Sequence, residues 1–386
     1  MNLIAIHEAI LFVAVKNIVK MYSFPRNMAG AVALNEICWL GKDLQAQSGC
    51  INRLFIGKLK LVDVLIVACD DGQVSIWHLH NINAAPLILQ NQISSWGIST
   101  SILNTVAVSA NNHLITLFDL ETGQKGILAG HLHNIPCIQF SKCGKYLVSC
   151  SIDGTCKLWN AISMQFIRDV YVGMQRGWSV MLLPDKCKKR DFGSLECVNI
   201  ESPLDETRTV VIPERVSHEY SFDLGEMLEE LEDDSDSNHP SSEDSILSYE
   251  YEDGNLIPQQ FETNEPVALT NLVCFCAQTH ILILNLNGEV IRMIENQFLD
   301  SYRIALTLSL RDGSIFVAAL SRINSSTIQT IGVDEIYSQR TFEATLVGIG
   351  AVEQGDCYSL VHLFSNGDIK VTKLTFESHR HREMLI

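Results

Sequence analysis

Three stretches of the chain repeat one pattern at one spacing. VLIVACDDGQVSIWHL (64–79), TVAVSANNHLITLFDL (105–120) and YLVSCSIDGTCKLWN (146–160) each alternate, turn tightly and alternate again. Their turns carry Asp71, Asn112 and Asp153, 41 residues apart, and the aromatics that follow, Trp77, Phe118 and Trp159, keep the same spacing of 41. Asp-Gly and Asn-Asn suit such turns because they tolerate the positive φ that a two-residue hairpin demands. A lone hairpin cannot bury its apolar surface, so hairpins at a fixed period are expected to stack on one another. A period of about 40–45 residues with Asp in the turn and Trp in the next strand is the pattern of a β-propeller blade.

More degenerate copies flank these three. ILFVAVKNIVKMYSF turns near Asn17, LVCFCAQTHILILNLNG near Thr279 and His280, SIFVAALSRINSSTIQTIGV near Asn324, and YSLVHLFSNGDIKVTKL at Asn366 and Gly367. Thr279 to Asn324 is 45 residues and Asn324 to Asn366 is 42, giving seven inner hairpins in all. The expected fold is therefore all-β: a seven-bladed propeller in one domain with a long insert, a count that also allows six or eight. Residues 1–200 hold four blades and the start of a fifth, 201–265 an insert, and 266–386 the remaining blades and the closure. The edge left by the last blade must be paired or covered. The N-terminal strand around Asn2–Ile6 is expected to pair there with strands near Ile369–Leu374.

The net charge of −17 belongs to the insert. Residues 201–265 carry 20 Asp and Glu against Arg208 and Arg215, a local charge of −18, which leaves +1 for the rest of the 386 residues. Steering arguments from the global charge would therefore mislead. LEELEDDSDSNHPSSEDS and the residues after it are polar and charged, and much of the insert is expected to be disordered. Within it, SFDLGEMLEELEDD puts Leu224, Met227, Leu228 and Leu231 at i, i+3, i+4 and i+7, one apolar face of a short acidic helix. That helix either folds onto a basic, apolar groove of a partner, or packs on the side of the chain's own blades, or forms only transiently. Ser241, with Asp244 three residues on, fits an acidophilic kinase, a pattern common by chance.

Few residues carry chemistry of their own. The twelve cysteines show no paired CxxC pattern, and several lie in apolar runs (Cys69, Cys150, Cys274), where a thiol acts as a small hydrophobe. Reduced structural cysteines are expected, not a disulfide frame or a zinc site. His131, His133 and Cys137 lie at the entry to an ordinary blade, where loop histidines are the simpler account. The N-terminus lacks a basic n-region and reads as a buried strand. No window of about 18 apolar residues is present, so no membrane partner is expected. Phosphate loops of the GxxxxGK[ST] or GxGxxG type and the GxSxG elbow are absent. The basic runs KCKKR (186–190) and HRHR (379–382) are short, so direct nucleic-acid binding is not expected. The chain is expected to be no enzyme and to need no cofactor or metal.

AGHLHNIPCIQFSKCGKYLVSCSIDGTCKLWN, with Gly130 and His131 as its Gly-His pair, resembles a WD repeat. The resemblance implies a hydrogen-bonded set inside the blade on His131, Ser151, Asp153 and Trp159, structural and not catalytic. Asp71 and Trp77 fill the corresponding places in the second hairpin, with Cys69 in place of the serine; the hairpin between has Asn112 and Phe118. Four less usual stretches, INRLFIGKLKLVDVLIVACDDGQVSIW, SSWGISTSILNTVAVSANNHLITLF, RGWSVMLLP and LVGIGAVEQGDCYSLVHLFSNGDIKV, are similar in order and wording to a fungal family of WD-repeat proteins, the constitutive-RNR-transcription regulators. That resemblance implies a scaffold acting in the nucleus or cytoplasm to regulate ribonucleotide reductase gene transcription through protein partners. Partners would be presented on one face, by loops such as Asn81–Pro86 and Asn134–Pro136. The competing role is a substrate receptor of a cullin-type ubiquitin ligase. Such receptors often carry Asp-x-Arg after the strand's Trp, whereas Trp77 is followed by His78-Leu79-His80 and Trp159 by Asn160-Ala161-Ile162.

Overall fold

Apolar runs broken by tight turns make strands that pair with their sequence neighbours, because a turn of two or three residues returns the chain antiparallel at once. The computed structural model describes residues 2–23, 32–33, 35–40, 49–91, 93–183, 188–189, 192–201, 272–277, 280–295, 302–309, 315–321, 325–330, 336–340, 346–354, 357–364, 367, 369–376 and 382–383. Among them lie six four-stranded sheets and one of five strands, with a two-stranded pair between Lys188–Lys189 and Arg382–Glu383. The single helical element is a 3-10 turn at Leu79–Asn81, among the described residues.

The first sheet runs Ile4–His7, Ile10–Val15, Ile18–Ser23 and Asn35–Leu40. The second is Ile51–Leu59, Val62–Cys69, Gln73–His78 and Leu87–Gln90. The third is Ser95–Thr100, Thr105–Ala110, Ile115–Asp119 and Lys125–Leu128. The fourth, Cys137–Phe140, Tyr146–Cys150, Thr155–Asn160 and Gln165–Val172, ends this regular run. The fifth is split: Gly177–Leu182 opens it, and Val273–Ala277, His280–Leu284 and Val290–Glu295 complete it after the insert. The backbone N–H of Leu183 donates to the Leu272 carbonyl at 2.7 Å, pinning the two ends of that excursion together. The sixth is Tyr302–Ser309, Ile315–Ser321, Ser325–Thr330 and Ile336–Arg340.

The seventh sheet corrects the expected closure. Leu346–Gln354, Cys357–Phe364 and Ile369–Phe376 form its first three strands, and its fourth is Phe192–Glu201, with Val32–Ala33 parallel at the edge. Ile369–Phe376 is therefore paired by a segment just before the acidic region, not by Asn2–Ile6. Ile4–His7 is instead the first strand of the first sheet, held against Ile10–Val15 by the tight turn between them. Ile4–His7 lies beside Leu346–Gln354, the strand at the other side of the seventh sheet from Ile369–Phe376, so it is not placed to cover that edge.

Residues 2 and 3 still join sheets. Asn2 Nδ2 donates to the Ile349 carbonyl (2.9 Å), and Asn2 Oδ1 accepts from Ile349 N (3.0 Å). Leu3 N reaches Val347 O, and Leu54 N donates to Asn2 O. The first strand of each sheet lies beside the first strand of the next, and that of the first sheet beside that of the seventh. Side chains bond across these seams: Phe140 N to Ser99 Oγ at 2.9 Å and Leu182 N to Gln139 Oε1 at 2.6 Å.

The core lies between sheets, because inner strands such as Val62–Cys69, Thr105–Ala110, Tyr146–Cys150 and Val273–Ala277 are buried on both faces. One cluster joins Leu11 and Phe12 of the first sheet with Leu65 and Trp77 of the second and Val361 and Val371 of the seventh. Ile66 and Ile76 meet Val106 and Phe118 of the third. Ala107 and Leu117 meet Ile138 and Trp159 of the fourth, and Val148 and Leu158 meet Phe275 and Leu284 of the fifth. At about 25 cal/mol per Å² of apolar area, such seams dominate the stabilisation of stacked sheets.

In an antiparallel meander the connections alternate ends. The turns 70–72, 111–113 and 152–154 share one end with the links between sheets at 93–94, 129–136 and 173–176. Residues 60–61, 101–104 and 141–145 lie at the other end with 79–86, 120–124 and 161–164. Asn81–Pro86 and Asn134–Pro136 therefore sit at opposite ends and cannot present one surface together.

Candidate interaction site

The fourth sheet builds the most elaborate polar cluster, around the turn that joins Tyr146–Cys150 to Thr155–Asn160. His131 Nδ1 lies 3.0 Å from Asp153 Oδ2, and His131 Nε2 lies 2.7 Å from Ser149 Oγ. Trp159 Nε1 donates to the same Ser149 Oγ at 2.8 Å. Thr155 Oγ1 donates to Asp153 Oδ1 at 2.7 Å and lies 3.0 Å from His131 Nδ1. These partners fix a neutral imidazole: Ser149 accepts from Trp159 and donates to Nε2, while Nδ1–H points to Asp153.

The structure brings His131, Asp153 and Trp159 together and puts Ser149, not Ser151, in the set. Both serines lie two residues apart on one strand parity, but only Ser149 lies within the strand, diagonal to Trp159. Ser151 sits just past the strand end, where its Oγ donates to His133 O and accepts from Asp153 N, each at 3.0 Å. In the second sheet, Val67 occupies the place of Ser149 and Gln73 that of Thr155; Gln73 Nε2 donates to Ser75 Oγ at 3.0 Å. Trp77 is buried in the core there.

One device recurs in all three hairpins. Asp71 Oδ1 accepts from Gln73 N (3.0 Å), Asn112 Oδ1 from Leu114 N (3.3 Å) and Asp153 Oδ1 from Thr155 N (2.8 Å). The residue after each is left-handed: Gly72 at φ 82°, His113 at 64° and Gly154 at 82°. A short side-chain acceptor at the first position is what such turns require.

Burial and hydrogen bonding act against each other in this cluster. Burial pushes His131 down, with Asp153 only partly offsetting it. Burial alone would raise Asp153, but hydrogen bonds from His131, Thr155 and Leu132 N outweigh it and hold the carboxyl well below the carboxylate range. The side chains of His131 and Asp153 are 0% and 7% exposed, so neither meets a substrate from solvent. Among the described residues no group of three or more His, Cys, Asp or Glu is placed to hold an ion.

The turn also organises its surroundings. Ile152 N donates to Asn134 O (2.9 Å) and Leu132 N to Asp153 Oδ2 (2.8 Å) on one side. Gly173 N donates to Gly154 O (3.1 Å) and Gly177 N to Ser151 O (2.9 Å) on the other. Residues 132–134 and 173–177 thus clasp the turn and hold two side chains outward, Leu132 at 83% exposure and Met174 at 104%. His133 beside them is exposed and stacks on His113 at 5.6 Å. Within Asn134–Pro136, Ile135 and Pro136 are buried. Sequence reasoning overlooked Leu132 and Met174; the signal to find them was a large apolar residue inside each polar connection. The helix residues Leu224, Met227, Leu228 and Leu231 lie outside the described residues.

Residues 123–160, which hold this cluster, match the family model "WD domain, G-beta repeat". An uncharacterized WD repeat-containing protein of Schizosaccharomyces pombe is 31% identical over 137 residues, 32% of this chain and 28% of that protein. A WD40 repeat-containing protein of Dictyostelium discoideum is 36% identical over 124 residues, 31% of this chain and 19% of that protein. The chain thus matches less than a third of the length of these relatives. It carries a WD repeat at its fourth sheet and is similar to WD-repeat proteins over about a third of its length.

Proposed function

We propose that the chain is a seven-bladed WD-type propeller that serves as a non-catalytic protein-interaction scaffold. The adjacency of the seven first strands supports the ring. The scaffold role rests on one observation: the polar residues of the WD turn are occupied by one another, while the side chains it displays, Leu132 and Met174, are apolar. Rigid elements holding displayed connections are a common basis for binding.

The regulator reading goes further. The four stretches similar to the constitutive-RNR-transcription regulators support a role in ribonucleotide reductase gene regulation, in the nucleus or cytoplasm, through protein partners. Affinity purification of the intact chain, and of a version lacking residues 202–265, which leaves Phe192–Glu201 whole, tests it. Recovery of transcription factors or chromatin supports the regulator role, and recovery of cullin subunits replaces it with that of a ligase receptor. If the shortened version keeps every partner, Leu224, Met227, Leu228 and Leu231 have no part in binding.

A further inference from the structure

We propose that protonation of His133 at Nδ1 releases the connection at residues 132–134 from the turn beside it, which makes the seam between the third and fourth sheets an acid-sensitive switch at this end. The switch is independent of the scaffold reading, since it lies in how the fold itself responds to protons.

The tautomer of His133 sets the switch. The backbone N–H of Asn134 donates to His133 Nδ1 at 2.7 Å. A backbone N–H can only donate, so Nδ1 accepts and the neutral ring keeps its proton on Nε2. The proton that charges the ring must therefore enter Nδ1. There it turns the acceptor into a donor facing the Asn134 N–H, and that hydrogen bond is lost. The Asn134 N–H and the His133 carbonyl belong to one planar peptide unit. That carbonyl accepts from Ser151 Oγ at 3.0 Å, and the Asn134 carbonyl accepts from Ile152 N at 2.9 Å. Turning the N–H away from the charged ring thus also turns the His133 carbonyl away from Ser151.

Charged groups from each neighbouring element bear on that step. His113 of the third hairpin stacks on His133 with ring centroids 5.6 Å apart, and it and Arg176 both oppose a charge there. Asp153 in the fourth sheet's turn favours one, while it is also engaged by His131, Thr155 and Leu132 N. Arg53 of the second sheet donates to Pro136 O, two residues beyond the connection. Partial burial, His113 and Arg176 together hold His133 below the ordinary histidine value despite Asp153. The closed connection is therefore fully favoured above about pH 6.5 and loses ground as pH falls toward the lowered value.

The third hairpin is poised to follow. His113 sits at φ 64°, where the sister turns have Gly72 and Gly154. A side chain there is strained, and the stack on His133 is the contact that offsets it. Loosening His133 leaves His113 with the strain alone.

The test is hydrogen exchange of the full chain at pH 7.5 and pH 5.5, with rates corrected for the intrinsic effect of pH. Protection at residues 132–134 should fall several-fold and by at most about tenfold, the limit for one proton over one pH unit below about 6.5. Residues 161–164 lie at the other end of the same sheet, where Ile162 N and Ser163 N donate to Asn160 Oδ1, and should keep their protection. His133→Phe keeps a ring against His113 but takes no proton, so its protection at 132–134 should be the same at both pH values. Circular dichroism checks that the variant is folded. In the parent chain, nitrogen shifts of the His133 ring should show the Nε2–H tautomer at pH 7.5. Unchanged protection at 132–134, an equal fall at 161–164, an equal fall in His133→Phe, or the Nδ1–H tautomer overturns the proposal.

Discussion

Ser149 Oγ sits between His131 Nε2 and Trp159 Nε1, and the residue has no exposed surface. Ser149→Ala leaves both ring nitrogens without that partner in a buried place, which should cost about 1–3 kcal/mol in a urea titration. Ser163→Ala, on an exposed turn, should stay within about 0.5 kcal/mol. The same residues set a pH dependence. Burial pushes His131 down despite Asp153, and His133 is lowered by burial, His113 and Arg176. Both folded-state values then lie below the unfolded value of about 6.5, so the unfolded chain takes up these protons first as pH falls. The stability involved is fully present above that value and is lost as pH drops through it toward the folded values. The urea midpoint should fall between about pH 7.5 and about pH 5.5. In His131→Gln the drop should be smaller; an equal drop would place the effect elsewhere.

At the scale of the hairpin, a left-handed residue follows each acceptor, but its surroundings decide what it tolerates. Gly154 at φ 82° faces the Gly173 carbonyl, while at Gly123, with φ 72°, an added methyl would have nothing within 4 Å. Gly123→Ala should therefore cost only the left-handed penalty of about 1–2 kcal/mol. Gly154→Ala adds a backbone clash and should lower the melting temperature clearly further, with the 173–176 segment displaced. Equal losses would mean that the segment yields freely. A second regularity belongs to this scale: in five of the sheets the register slips near the start of the first strand, as between Ile51 and Arg53, Ser95 and Ile98, and Gly177 and Ser179. Such bulges bend a strand and re-aim its side chains. The slip between Ile51 and Arg53 falls where Arg53 reaches Pro136 O two sheets away.

Across the whole molecule, stability depends on segments that return from far along the chain. Phe192–Glu201 pairs with Ile369–Phe376 along seven residue pairs, including Cys197 with Thr372 and Val198 with Val371. Alternate N–H groups of a strand face opposite neighbours, so replacing Cys197 and Val198 together by proline removes a donor toward Ile369–Phe376 whichever residue faces it. Hydrogen exchange should then accelerate in Ile369–Phe376 and leave Thr155–Asn160 protected. Unchanged protection in Ile369–Phe376 would show that the strand adds nothing to the seventh sheet.

The repeated unit was legible in the residues alone. Asp71, Asn112 and Asp153 fix the turns because a short side-chain acceptor and a left-handed next residue are local demands, met within three residues. Trp77, Phe118 and Trp159 mark the following strand because an alternating strand points its large residue inward wherever the turn sets the register. The acidic segment was equally legible, as charge concentrated between two of those units. The rest follows from long-range packing. Ser149 and Ser151 share a strand parity, and only the packing of His131 against Trp159 selects the first. The partner of Ile369–Phe376 came from residue 192 and not residue 2, because stacking sets Ile4–His7 beside Leu346–Gln354, at the other side of that sheet. Leu132 and Met174 are 42 residues apart and become neighbours of one turn only when the sheets stack. Local chemistry writes the hairpin; the order of stacking, a long-range matter, assembles the surface that could use it.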